Sequence, residues 1–261
     1  MSLQYAFCRG LRGVKTRRID LCRLCHTPSE LCISHVFPRS FIKLVRDEDS
    51  SRFYELHDGA DKLVQDGPKE RLLCVKCEQR ISRYEKYFKE ALHLSRHRIE
   101  IFQSGREAAV CGLDYDRTKL FLLSVLWRMS ISSLPQCQAV SLSETEEIIR
   151  RMILEGRPGG SQEFPVCACI PVIGGRMDER WLCTPFVSAR GAVYALIIGG
   201  ILYFISITNG RVFPDPMCLL TESGDWVMPI IDFDKVPFLY EFITHHFQGE
   251  RPADGQPERG V

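Results

Sequence analysis

The residues in this chain best suited to chemistry are four cysteines in two pairs. Cys22-Arg-Leu-Cys25 and Cys74-Val-Lys-Cys77 stand 48 residues apart. Two CxxC pairs supply four thiolates, which suit tetrahedral zinc at a closed structural site. The first pair reads as a knuckle turn. The second stands at the start of a long helical pattern, where the helix dipole favours ionised thiolates. The segment between the pairs has few core residues, so a metal clip would offset a small core. The plainer alternative is four buried cysteines packed as small hydrophobes. Cys22-x-x-Cys25-His26 also spells the covalent haem attachment motif. Haem would leave the second pair unexplained, so zinc is the expectation, and His26 then reads as a solvated turn residue.

Twelve cysteines is a high number for 261 residues, so the compartment decides how they are read. The first twenty residues carry scattered basic side chains and no apolar stretch with a small-residue cleavage site. The expected compartment is therefore the cytoplasm, where paired cysteines are metal ligands more often than disulfides. Cys167 and Cys169 would share one face of a strand and are read as core. His245-His246 would point about 100° apart on a helix and are read as surface.

Hydrophobic residues at 45% and charged residues at 26% exclude a wholly disordered or fibrous chain. Charge is unevenly placed. Residues 1–111 carry 21 Lys and Arg against 15 Asp and Glu, net +6, while residues 112–261 carry 13 against 18, net −5. An N-terminal part able to meet polyanions is implied. Arg71, Lys76, Arg80 and Arg83, followed by Lys86 and Lys89, gather around the second cysteine pair. Phosphate contacts from such side chains would be independent of sequence and sensitive to salt. A solvated helix face is the alternative. Tyr84, Tyr87 and Phe88 have core spacing and are not read as base-stacking platforms.

The elements that must position these groups read as an α+β chain. A helix is expected over 78–97, with Ile81, Tyr84, Phe88, Ala91 and Leu92 as its apolar stripe. A polar link at 103–106 leads to a helix over 115–130, apolar almost all round and hence buried. A third helix is expected over 143–156, opened by a capping box at Ser143-Glu144-Thr145-Glu146. Strands are expected over 164–173, 181–187 and 226–231. Residues 192–207 contain no charge, but they are short for a membrane span and Gly199-Gly200 divides them, so a buried hairpin is expected and no membrane partner. A short helix over 237–247 and a disordered tail from 249 complete the pattern. The expected regions are 1–19 (basic segment), 20–98 (zinc-framed module), 99–156 (helical), 157–248 (β-rich) and 249–261 (tail). The β-rich region shows no nucleophile elbow, phosphate loop or carboxylate dyad. A protein partner for it is left open, as is the oligomeric state.

Between the cysteine pairs, Ile33-Ser34-His35-Val36-Phe37-Pro38 sets one histidine beside a proline turn. With Cys22, Cys25, His35, Pro38, Cys74 and Cys77 in this order, residues 20–90 resemble the HNH, or ββα-metal, endonucleases. In the zinc-framed members the first CxxC precedes an Asp-His-Ile-x-Pro strand, and His follows the second CxxC at once. More loosely, the chain is similar to uncharacterised bacterial proteins carrying Ser-His-x-x-Pro and Leu-Leu-Cys-x-x-Cys-Glu. The resemblance implies a treble-clef-like ββα module followed by helices and a β-rich region. It implies that His35 is a general base, taking a proton from the water that attacks phosphorus.

Glu78 stands where that family has a metal-binding His, and Ser34 where it has a metal-binding Asp. Glu78 and Ser34 are thus the implied ligands of a catalytic Mg²⁺ or Mn²⁺, which would polarise the scissile phosphate. The family's middle Asn is missing, since the one asparagine in the chain is Asn209. Gln65, Asp66 and Glu70 are the candidates to replace it. Glu85, two turns beyond Glu78, reads as a partner of Lys89. The implied activity is metal-dependent cleavage of nucleic acid, DNA over RNA, in bacterial defence. Ser34 and the missing Asn favour the alternative, a non-catalytic zinc-finger module binding nucleic acid or protein. His35 would then hold a loop by hydrogen bonds, and Glu78 would be an ordinary first-turn acid facing the helix dipole.

Overall fold

The computed structural model describes residues 19–43, 53–55, 62–64, 67–92, 99–177, 179, 182–187, 192–208 and 218–233. They form a mixed α+β fold. Strand β1 (Ile19–Leu21) and strand β2 (Pro28–His35) pair antiparallel, with Leu21 opposite Pro28 across the first CxxC turn. The turn closes through the His26 amide on the Cys22 carbonyl at 2.8 Å and the Cys22 amide on the Thr27 carbonyl at 3.1 Å. His26 sits exposed at φ 56°, the left-handed conformation the tight turn demands. Helix α1 (Arg39–Ile42) is one turn long and buries Phe41 and Ile42. Strands β3 (Phe53–Glu55) and β4 (Lys62–Val64) make a separate antiparallel pair.

Strand β5 (Lys69–Cys74) lies against β2, from Leu31 opposite Cys74 to His35 opposite Lys69, with a bulge at Cys32/Ile33. The chain passes directly from β5 into helix α2 (Val75–Leu92). This helix starts three residues before the expected position, because the second cysteine pair lies across the strand–helix junction. Its buried face is Cys77, Ile81, Tyr84, Phe88, Ala91 and Leu92, the expected stripe with one cysteine added. The expected end near residue 97 falls outside the described residues.

The expected polar link at 103–106 is a turn between two short strands, β6 (Glu100–Ile101) and β7 (Glu107–Val110). Helix α3 (Tyr115–Ser130) has the expected bounds, and the Asp114 side chain caps it by accepting from the Arg117 amide at 3.0 Å. Helix α4 (Thr145–Glu155) ends at Gly156, whose φ of 75° closes the last turn through the Met152 carbonyl. The expected capping box does not form. Ser143 is left-handed at φ 47°, Thr145 Oγ1 turns back to the Leu142 carbonyl, and the Glu146 carboxylate accepts from Ser130 Oγ at 3.0 Å. Packing on α3 outcompetes the local motif.

Strands β8 (Val166–Val172), β9 (Leu182–Val187), β10 (Val193–Ile198), β11 (Ile201–Ser206) and β12 (Trp226–Asp232) complete a seven-stranded sheet of order β6-β7-β12-β8-β11-β10-β9. All neighbours are antiparallel except β12 and β8. The charge-free stretch is the expected hairpin. Gly199 and Gly200 lie at φ 60° and 78°, and Ile198 faces Ile201 across a two-residue turn. Among the described residues, no helix is long and apolar enough to cross a membrane. The expected helix over 237–247, the pair His245-His246 and the tail lie outside the described residues.

One apolar core links these parts. Phe88 on α2 stacks on Phe121 of α3 at 4.1 Å between ring centroids and meets Tyr203 of β11 edge-on at 5.7 Å. Phe41 closes on both phenylalanines from α1, and Tyr203 passes the contact on to Trp226. Helix α2 of the cysteine module is thereby fixed against the large sheet.

Candidate metal centre

The two cysteine pairs meet where the β1–β2 turn lies over the β5–α2 junction. Cys22, Cys74 and Cys77 are buried and Cys25 is half-buried. Their four sulfur atoms all lie within 4.8 Å of one another, and Cys25 and Cys74 are 3.9 Å apart. A tetrahedral zinc with Zn–S bonds of ~2.3 Å sets its sulfurs ~3.8 Å apart. The thiol set fits that ion. Four cysteines so placed could hold a zinc ion.

Electrostatics agree with such a role. The hydrogen bond from Cys77 holds Cys22 well below the ordinary thiol range, against its burial, and backbone amides including that of Cys74 at 3.3 Å assist. The same contact, with burial, pushes Cys77 up, and burial raises Cys74. Thiols this close compete for protons, and a dication relieves the competition by binding all four as thiolates. The turn is anchored from outside by α4: Arg150 Nη1 donates to the Leu24 carbonyl, while Glu147 holds the same guanidinium at 2.6 and 2.8 Å. Both thiols of the CxxCH motif are engaged with Cys74 and Cys77, and His26 points to solvent.

A polar cluster lies beside the thiols. Ser34, buried on β2, donates its hydroxyl to Oε1 of Glu78 in the first turn of α2. Burial raises the Glu78 carboxyl above its ordinary range, opposed by the Ser34 bond and the Arg128 charge; Glu85 adds to the rise, and His35 counters it. His35, half-buried, ends β2. Its carbonyl accepts from Arg128 Nη1 of α3 at 2.9 Å, and the same Nη1 meets Glu85 Oε1 at 2.8 Å. Glu85 is therefore not the expected partner of Lys89 on a wet face. It turns inward because α3 presents a buried cation that requires a carboxylate.

Hard-ion coordination is another matter. Among the described residues, the four cysteines are the one group of three or more His, Cys, Asp and Glu gathered closely enough to share a metal. Glu78 and Ser34 face each other, with no such set around them. Glu70, a candidate for the missing Asn, is committed elsewhere: its carboxylate accepts from Ser132 Oγ at 2.8 Å, the Ser133 amide at 2.9 Å and Ser133 Oγ at 2.5 Å. Gln65 and Asp66 lie outside the described residues.

The basic residues divide. Arg71 donates Nη1 to the Leu31 carbonyl at 2.6 Å, a cross-strand tie within the small sheet. Lys76 and Arg83 are exposed and Arg80 is half-buried. At 100° per residue these three lie about 140–160° round α2 from Glu78. The cationic stripe and the Ser34–Glu78 pair are on opposite flanks of one helix.

Tyr84 and Phe88 are core as expected, and the Tyr87 hydroxyl accepts from the Asp114 amide at 2.6 Å. Cys167 and Cys169 are buried on β8. Two buried cations escaped the sequence reading. Arg128 is one. Lys119 is the other: its Nζ donates to the Tyr115 hydroxyl at 3.0 Å and to the Gly160 and Glu163 carbonyls at 2.7 and 2.5 Å. Burial brings Lys119 down to about 8, against the raising effect of Glu163 and Glu222. The available signal was a cation inside a helix apolar all round, which must find its partners within the protein. A surface groove of about 460 Å³ along α4, lined by Glu144, Ile148, Arg151 and Glu155 among others, shares no residue with the thiol site.

No protein-family model, curated protein or solved structure matches this chain.

Proposed function

We propose that the chain is a zinc-framed, metal-dependent nuclease acting on nucleic-acid phosphodiester bonds, with DNA favoured over RNA. The observation that carries this reading is the Ser34 hydroxyl donating to Glu78, next in sequence to His35, where β2 ends against the first turn of α2. In this reading the four thiols hold a structural zinc, and His35 accepts the proton of the attacking water. Glu78 supplies one hard carboxylate for Mg²⁺ or Mn²⁺, and water and substrate phosphate supply the remaining ligands. Such an ion, when bound, neutralises charge on the phosphate. Cytoplasmic location and a part in bacterial defence belong to the same proposal, and the second rests on the resemblance to HNH-like bacterial proteins alone.

The test is nicking of supercoiled plasmid by zinc-loaded protein with Mg²⁺ or Mn²⁺. Nicking that EDTA abolishes is expected.

A second reading, a non-catalytic zinc module that binds nucleic acid, is favoured by one observation: Lys76, Arg80 and Arg83 lie on the flank of α2 away from Glu78. Salt-sensitive DNA binding with no nicking under either ion would select it.

A further inference from the structure

We propose that Arg128 is the positioning residue for His35; this rests on the reading of His35 as the reacting group. The guanidinium belongs to α3, far along the chain, and its side chain is only 3% exposed. Nη1 holds the His35 carbonyl at 2.9 Å and Glu85 at 2.8 Å, and Nε donates to the Ser124 carbonyl at 3.2 Å. Among the described residues Nη2 has no hydrogen-bond partner. An arginine so placed is a poor choice for stability. An apolar side chain of similar size would fill the space without desolvating a charge or stranding an N–H.

What the guanidinium does, and a methionine cannot, is grip the peptide between His35 and Val36. That peptide is held from both sides, its carbonyl by Arg128 and its N–H by the Pro68 carbonyl at 3.0 Å. With both groups bonded, the direction in which β2 presents its last side chain is fixed. Glu85 in turn fixes the guanidinium from α2, so three elements hold the one peptide that follows the His35 side chain. A reacting group needs such support to stay within a fraction of an ångström of its working position.

The experiment follows amide hydrogen exchange at Val36 in the full-length, zinc-loaded protein. The reference is the Arg23 amide of the same module, which donates to the Leu72 carbonyl at 2.9 Å. Arg128→Met combined with Glu85→Gln removes the pair without leaving a lone buried charge. Val36 exchange is expected to rise about tenfold or more relative to Arg23, a local opening rather than a global one. Glu85→Gln alone, which loosens the guanidinium without removing it, is expected to give a smaller rise, and it keeps the test open should the double variant not fold. Plasmid nicking by the variants is expected to lose kcat with KM retained. Equal changes at Val36 and Arg23, no change at either, or full kcat despite a freed Val36 would each overturn the proposal. A parent protein that never nicks, with Val36 responding as expected, would overturn instead the nuclease reading on which the role of His35 rests.

Discussion

Cys25 and Cys74 lie 49 positions apart in the chain and bring their sulfur atoms to 3.9 Å. That separation matches an edge of a zinc–thiolate tetrahedron, ~3.8 Å. Metal analysis of protein purified without chelators is expected to give about one zinc per chain. Cys22→Ser and Cys74→Ser are each expected to lose the metal and to lower Tm by at least about 5 °C. Zinc-free parent protein and serine variants that melt like it would remove the centre.

The hairpin carries a separate expectation. Gly199 and Gly200 both have positive φ, so a β-branched residue at either site forces left-handed backbone on a side chain that resists it. Gly199→Val is expected to cost about 1–2 kcal/mol by urea unfolding, and Gly199→Asn much less. Equal effects of Val and Asn would argue against the turn.

Lys119 links stability to pH. Its folded value, brought down to about 8 by burial, lies below that of an unfolded lysine. Between these two values the unfolded chain holds a proton that the folded chain has released, so rising pH favours folding. Parent stability, measured relative to Lys119→Met, is expected to increase from pH 8 to pH 10 and to be lost again as pH falls through 8. A difference that is flat across this window would show that Lys119 titrates normally.

The cationic flank of α2 predicts a division of labour. Arg80→Ala and Arg83→Ala are expected to weaken DNA binding and to lower the salt slope by about one unit per lost phosphate contact. Because both lie away from Glu78, the rate of cutting at saturating DNA is expected to stay at the parent value. Loss of that rate with binding intact would place these arginines at the reacting centre.

What was legible in the sequence was local. The CxxC spacing, the stripe on α2, the bounds of α3 and the Gly-Gly turn all depend on residues within a few positions of one another. What was missed depends on distant partners. Arg128 and His35 meet across 93 positions, and nothing near either residue announces the other. Local spacing pairs Glu85 with Lys89, its neighbour one turn on, but a buried guanidinium on another helix binds it more strongly than a solvated amine can. Strand β6 is two residues long, too short to show alternation, and its partner β7 pairs on its other side with β12 from the far end of the chain. The capping motif at Ser143 failed for the same reason: Ser130 of α3 takes the Glu146 carboxylate that the local pattern assigned to the helix start.

The most direct measurement is single-turnover nicking of supercoiled plasmid by parent and His35→Ala protein, each zinc-loaded, in the presence of Mn²⁺. His35→Ala is expected to cut about 10²–10⁴-fold more slowly while zinc content, Tm and DNA affinity stay close to parent. A folded, zinc-loaded His35→Ala protein that cuts at the parent rate would contradict the assignment of His35 as the base.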